Sequence, residues 1–181
     1  MRVVLVGSGN VATVLSILMQ KAGHQIVQIV SRNRDHAAIL GSRYNADAVS
    51  LTEPEFAPAD IYVVALHDAS LDSLEKINGL KDKFVVHTAG SVSKDVLKNI
   101  SSTYGILYPL QTLSKIAKEI PEIPFLVEGN NKETLHQITE FARTLSNKVI
   151  TVNETERLYY HIAAVFAGNF TNHMYAIAES F

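Results

Sequence analysis

Six residues near the start of the chain, Gly7-Ser8-Gly9-Asn10-Val11-Ala12, have the types and spacing to seat a diphosphate. In a G-x-G-x-x-G/A turn the first glycine permits a sharp exit from a strand. The second lets a pyrophosphate approach the backbone without meeting a Cβ, and the small sixth residue lets helix and strand pack closely. The helix that follows offers unpaired N–H groups and the positive end of its dipole to the phosphates. Without flanking elements such a turn is an ordinary strand–helix connection; with a strand before it and a helix after it, dinucleotide binding is the stronger reading.

About 20 residues further on, an NAD site places an acid that binds the ribose hydroxyls. Here that place holds Ser31-Arg32-Asn33-Arg34. A carboxylate would repel a 2′-phosphate, whereas the Ser31 hydroxyl and the guanidinium forks of Arg32 and Arg34 can hold one by charge-assisted hydrogen bonds. The alternative is that both arginines are solvated loop charges. NADP is therefore expected over NAD. The missing acid also counts against an adenosylmethionine-type methyltransferase, and the turn lacks the Lys-Ser/Thr pair of a P-loop nucleotide triphosphatase.

Three further sets of residues are candidates. Leu66-His67-Asp68 and Thr88-Ala89-Gly90-Ser91 leave strands that should flank the cofactor crevice on its nicotinamide side, and the small residues of the second set suit backbone passing under a ring. His67 and His87 are a conceivable metal pair, but no third ligand stands at a sensible spacing, so structural histidines are the preferred reading. Near the C-terminus, His161, Gly168, Asn169 and Asn172 fall within roughly a quarter of a helical circumference at about 100° per residue. A polar stripe on an otherwise apolar helix wants partners. A substrate and an amide ladder across a dimer interface serve equally well.

These residues need elements to hold them. Arg2–Val6 reads as a strand. Val11, Val14, Leu15, Leu18 and Ala22 recur at helical spacing until Gly23 supplies a stop. Strands are expected at 25–30, near 46–49, at 61–66, 84–87 and 105–107, then at 125–127 and 148–152. Helices are expected from Asn33 to about Gly41, from Ser70 to Ile77 and through Val96. Another is expected behind a capping box of Asn130 with Glu133, and a last one runs from the Asn153–Glu156 box to Phe181. Tyr108-Pro109-Leu110-Gln111-Thr112 reads as a rigid, proline-anchored loop. The alternation argues a Rossmann-type α/β fold, a doubly wound and mostly parallel sheet over 1–152, followed by the long helix 153–181 as the start of an all-helical domain.

That last helix is apolar on most sides (Ile162, Ala163, Phe166, Ala167, Phe170, Ile177) and reaches Phe181 without a stop signal. It is expected to be covered by a second copy or by further helices, which makes the chain part of a longer protein and the assembly a homodimer. With 181 residues, 47% of them hydrophobic, and a net charge of -2, the chain has no basic footprint for nucleic acid. The absence of cysteine excludes thiolate catalysis, disulfides and cysteine-ligated metal sites. No apolar run approaches a membrane span and no charged leader precedes the first strand, so a cytoplasmic location is expected.

The glycine turn, the Ser-Arg after the second strand, His87-Thr88-Ala89-Gly90-Ser91, Tyr108-Pro109-Leu110-Gln111-Thr112 and Ala163-Ala164-Val165-Phe166-Ala167-Gly168-Asn169-Phe170 span nearly the whole chain. Together they resemble the bacterial Rossmann-like NADP oxidoreductases with a helical C-terminal domain of unknown function. That family is similar to pyrroline-5-carboxylate reductase, ketopantoate reductase and the β-hydroxyacid dehydrogenases. The resemblance implies an NADP-bound domain, a helical dimerisation domain and a cleft between them that receives a small-molecule substrate.

One departure bears on catalysis. In β-hydroxyacid dehydrogenases and ketopantoate reductase a catalytic Lys stands one helical turn before an Asn on the interdomain helix. If Asn169 matches that Asn, the Lys position is Val165, which cannot move a proton. His161, one turn further back, is the ionisable substitute on that face, and a histidine can act as general acid to a carbonyl or imine receiving hydride. The sequence therefore supports an NADP-dependent oxidoreductase acting on a small carbonyl, imine or alcohol, with a non-catalytic NADP(H) sensor as the second reading and a deazaflavin as redox partner as a third.

Overall fold

In the computed structural model, which describes residues 1–52, 54–116 and 119–181, eight strands form one sheet in the order β3-β2-β1-β4-β5-β6-β7-β8. The first half is β1 (Arg2–Val6), α1 (Asn10–Lys21), β2 (Gln25–Ser31), α2 (Arg34–Gly41), β3 (Asp47–Ser50), β4 (Ile61–Val64) and β5 (Phe84–His87). The second half is β6 (Thr103–Pro109), β7 (Phe125–Gly129), α3 (Lys132–Leu145), β8 (Val149–Thr151), α4 (Glu154–Ala164) and α5 (Thr171–Ala178). All neighbouring strands are parallel except β6 and β7. The chain winds from β1 out to β3, then returns to place β4 on the other side of β1. The strand order therefore reverses between β1 and β4, and ligands of such sheets lie outside the strand ends at that point.

The core explains why the strands read as unbroken apolar runs. Val3, Leu5, Ile61 and Val63 face α1, α2 and α3, while Val4, Val6, Tyr62 and Val64 face Leu71, Leu74, Leu80, Leu97 and Ile100 on the other side. A parallel sheet covered on both faces has no polar side to alternate with. α1 ends where Gly23 (φ +80°) turns the chain, with the His24 N–H donating back to the Met19 carbonyl at 2.9 Å.

Several expected elements take a different form. Ser70–Ile77 is no α-helix: tight 3-10 turns run over Asp68–Ser70 and Asp72–Lys76, and the expected helix through Val96 is one such turn, Lys94–Leu97. The apolar residues explain it. Leu71, Leu74, Ile77 and Leu80 are spaced by three, as are Leu97 and Ile100, and a three-residue turn brings such a row onto one line. The cap of α3 is Asn131, which accepts from the Thr134 N–H at 2.8 Å. Asn130 is already committed to β6, accepting from the Tyr104 N–H and donating to the Ser102 carbonyl. Tyr108 and Pro109 belong to β6 rather than to a loop, paired with Leu126 and Phe125. The Pro109 ring sits at the strand end, and the next N–H, that of Leu110, reaches the Pro124 carbonyl at 2.8 Å.

The Asn153–Glu156 capping box opens α4 with both reciprocal bonds, at 3.0 and 2.9 Å. The helix is continuous to Ala178, three residues short of the expected end, and widens into a π-helical segment over Val165–Phe170. Among the described residues no helix is long and apolar enough to cross a membrane.

Candidate active site

The glycine turn lies at the reversal of strand order. Gly7 has φ +130°, and a Cβ there would stand 2.2 Å from the Ala65 carbonyl oxygen, so only glycine lets β1 and β4 close at this point. A Cβ on Gly9, by contrast, would meet nothing within 4 Å. That open side is the face a diphosphate needs. Gly9 is also the N-cap of α1 and supplies no side-chain cap, so the first N–H groups of the helix face outward. A cavity of about 510 Å3 opens here, lined by Gly9, Asn10, Val11, Leu66, His67 and Asp68 among others. The structure thus brings the first and third sets of candidate residues to one crevice.

At the end of β2 the Ser31 and Ser8 hydroxyls are 2.8 Å apart, which ties the glycine turn to the end of that strand. Arg32 and Arg34 are exposed. Arg34 Nε donates to the Ala48 carbonyl at 3.4 Å and its side chain lines a separate cavity that also contains Asp47 and Glu55.

A second cluster of side chains is built on Gly90. Three residues of α4 at spacing i, i+3 and i+7 grip the loop after β5. Glu154 Oε2 accepts from the Ser93 hydroxyl at 2.8 Å, Arg157 Nη1 donates to the Gly90 carbonyl at 2.5 Å, and the His161 ring rests against Gly90. Tyr108, from the end of β6, completes the group, its hydroxyl 2.8 Å from His161 Nδ1. A Cβ on Gly90 would lie 2.6 Å from both His161 Nδ1 and Tyr108 Cζ. Gly90 is therefore small because two rings lie on it. Burial, and then the Asp68 carboxylate, push the Tyr108 phenol above its ordinary value, so it keeps its proton near neutrality. Ser91 Oγ donates to that same Asp68 at 2.5 Å.

Arg157 is buried, 1% exposed, with Nε 3.5 Å from Glu128 Oε2, and Glu128 Oε1 receives Lys94 Nζ at 2.7 Å. Among the described residues, Arg157 Nη2 has no hydrogen-bond partner. His87 is a core residue. Its Nδ1 accepts from the Ala89 N–H and its Nε2 donates to the Ser93 carbonyl, both at 3.2 Å, so neither nitrogen is free for a metal. Burial lowers its pKa from 6.5 to about 4, which keeps it neutral. His67, exposed, lines the 510 Å3 cavity.

His161, Gly168 and Asn169 all face the segment that begins at Tyr108. Thr112 Oγ1 donates to Asn169 Oδ1 at 3.4 Å, and a Cβ on Gly168 would stand 3.6 Å from the same hydroxyl oxygen. Asn172 is exposed. Val165 begins the π-helical segment, a form that recurs at functional sites. Arg157 and Lys115 are not among the residues singled out from sequence, and Tyr108 is read there only as part of a loop; Lys115 lines the cavity, while Tyr108 and Arg157 hold the cluster at Gly90.

The chain resembles several solved structures. The "putative NADP oxidoreductase BF3122" from Bacteroides fragilis is 38% identical with a TM-score of 0.88, over 98% of this chain and 70% of that one. The chain belongs to this NADP oxidoreductase family. Within the family fold, residues 2–91 match the domain described as NADP oxidoreductase coenzyme F420-dependent, and residues 123–181 match a domain of unknown function, DUF2520. Protein TM1727 from Thermotoga maritima shares the fold at 24% identity and TM-score 0.77, over 98% of this chain and 68% of that one. A 1-pyrroline-5-carboxylate reductase from Streptococcus pyogenes shares it at 12% identity and TM-score 0.72, over 99% and 68%. No curated protein sequence matches the chain. Family membership implies a nicotinamide dinucleotide as cofactor, and the open face at Gly9 with the free first turn of α1 fits one.

Proposed function

We propose that the protein is an NADP-dependent oxidoreductase acting on a small carbonyl, imine or alcohol substrate. The observation that carries this is the Tyr108–His161 pair resting on Gly90, in a loop whose Ser91 hydroxyl bonds Asp68 of the cavity beside the glycine turn. Gly9, Asn10, Val11 and Ala12 would hold the diphosphate, and Ser8, Ser31 and Arg32 the 2′-phosphate. Leu66–Asp68 and Thr88–Ser91 would flank the nicotinamide, which supplies the hydride when bound.

The protonated Tyr108 hydroxyl can donate to His161 Nδ1, which places the imidazole proton on Nε2. From there Nε2–H can deliver a proton to the oxygen or nitrogen of a substrate that receives hydride at carbon, while Nδ1 takes the Tyr108 hydroxyl proton; the imidazole stays neutral and the phenolate left behind is reprotonated from solvent. Asn169, held by Thr112, would orient the same substrate from the next turn. Val165, apolar at the place of the relatives' Lys, favours the alternative of a non-catalytic NADP(H) sensor. NADPH consumption against a panel of small carbonyls and imines, with one deazaflavin arm, separates the two. Turnover that falls in His161→Ala supports the enzyme; binding without turnover in any arm supports the sensor.

The same reading takes residues 153–181 as the start of a helical domain. Phe166, Phe170, Met174, Tyr175 and Ile177 are exposed along it. A homodimer formed through this helix would bury them, and sedimentation of the protein gives the state directly.

A further inference from the structure

A groove of about 390 Å3 lies between α1 and α2, lined by Ser8 of the glycine turn. Ser8 and Thr13 line it from one wall, His36 from α2 and Arg43 from two residues past its end, and Lys115 from the segment after β6. Its lining among the described residues holds two permanent cations, a histidine and no carboxylate. The chain as a whole has 18 acids to 16 bases. A cavity so lined is not what that composition gives by default. The cavity on the other side of α2, where Arg34 lies, contains both Asp47 and Glu55.

Two hydrogen bonds place this groove beside the cofactor's second ribose. Ser8 Oγ, on the groove wall, is 2.8 Å from Ser31 Oγ, the residue at the ribose end of β2. The Lys115 N–H donates to Asn10 Oδ1 at 3.2 Å, which holds the 111–116 segment across the start of α1. Lys115 therefore lines both this groove and the diphosphate crevice. His36 and Arg43 lie seven residues apart, two turns along one face of α2 continued.

We infer that Arg43 and Lys115, with His36, form a second cationic wall for the cofactor's 2′-phosphate and set the preference for NADP over NAD. The inference rests on the oxidoreductase reading above only in requiring that the protein bind a nicotinamide dinucleotide. Ser31 and Arg32 meet the phosphate from the β2 side; Lys115 and Arg43 meet it from the α1–α2 side. A dianionic phosphate has acceptor oxygens enough for both.

Calorimetric titration of NADPH and of NADH into wild type, Arg43→Ala, Lys115→Ala and Arg143→Ala tests this. Arg143, paired to Glu140 on the exposed face of α3, controls for net charge. Arg43 and Lys115 are exposed, so their removal leaves the fold intact, which a melting curve checks. Arg43→Ala should weaken NADPH about tenfold or more and leave NADH unchanged, Lys115→Ala should weaken NADPH about tenfold more than it weakens NADH, and Arg143→Ala should behave like wild type. Equal weakening of both cofactors would assign the cations to the diphosphate instead, and no change in either would remove them from the site; both overturn the inference. A wild type that does not distinguish the cofactors is a different outcome and strikes the NADP reading itself.

Discussion

The Tyr108 hydroxyl lies 2.8 Å from His161 Nδ1, joining residues 53 positions apart at the end of β6 and the middle of α4. Both rings cover Gly90, at the exit of β5. If this pair supplies the proton, His161→Gln should lower NADPH turnover by roughly a hundredfold or more, in the range of general-acid contributions. Tyr108→Phe should lower it less and change its pH profile, because the imidazole then loses the group that fixes its tautomer. NADPH affinity should stay near wild type in both. Steady-state kinetics beside direct binding gives the comparison.

Gly90→Ala is predicted to disable the site without unfolding the protein. The added methyl would meet the His161 and Tyr108 rings at 2.6 Å, and side chains at the edge of a crevice can swing away. The expected outcome is a melting temperature close to wild type with turnover reduced at least tenfold. Gly7→Ala should do the opposite. Its methyl meets the Ala65 backbone oxygen, at a φ that L-residues avoid, and should cost about 1–3 kcal/mol in a urea titration.

Much of the frame was legible because its determinants are local. The turn from Gly7 to Ala12, the stop at Gly23 and the caps at Asn33 and Asn153 each act within a few residues, and all four hold. The misread segments are those where a tertiary contact decides. Asn130 lost the α3 cap to its neighbour because β6 uses its side chain, and the leucines after β4 select a three-residue turn only because the sheet lies beneath them. The roles of Tyr108 and Arg157 were hidden for the same reason. Tyr108 stands out in sequence only as part of a proline-anchored loop, and an arginine on a helix is unremarked; their chemistry arises from partners more than fifty residues away.

Arg157 gives a stability prediction. Its removal leaves the Gly90 carbonyl without its donor and Glu128 Oε2 without its cation, in a place from which water is excluded. Arg157→Ala should lose about 3–5 kcal/mol, the range for breaking a buried charge pair. Arg157→Lys should recover part of it. Urea midpoints measure both.

His87 predicts an acid limb. Its folded-state value of about 4 lies below the ordinary 6.5, chiefly because burial disfavours the charged ring. The unfolded chain therefore takes up the proton first as pH falls. The stability contributed by neutral His87 is intact above about pH 6.5 and declines from there to about pH 4, by roughly 1.4 kcal/mol per pH unit. His87→Asn should flatten that limb in pH-dependent urea titrations.

The chain contains no tryptophan, so NADPH fluorescence can be followed against a dark protein background. Titrating the protein with NADPH and then with NADH tests the central claim most directly. Saturable binding of NADPH, at least about tenfold tighter than NADH, is the predicted result. No response to NADPH, or NADH bound as tightly, would contradict it.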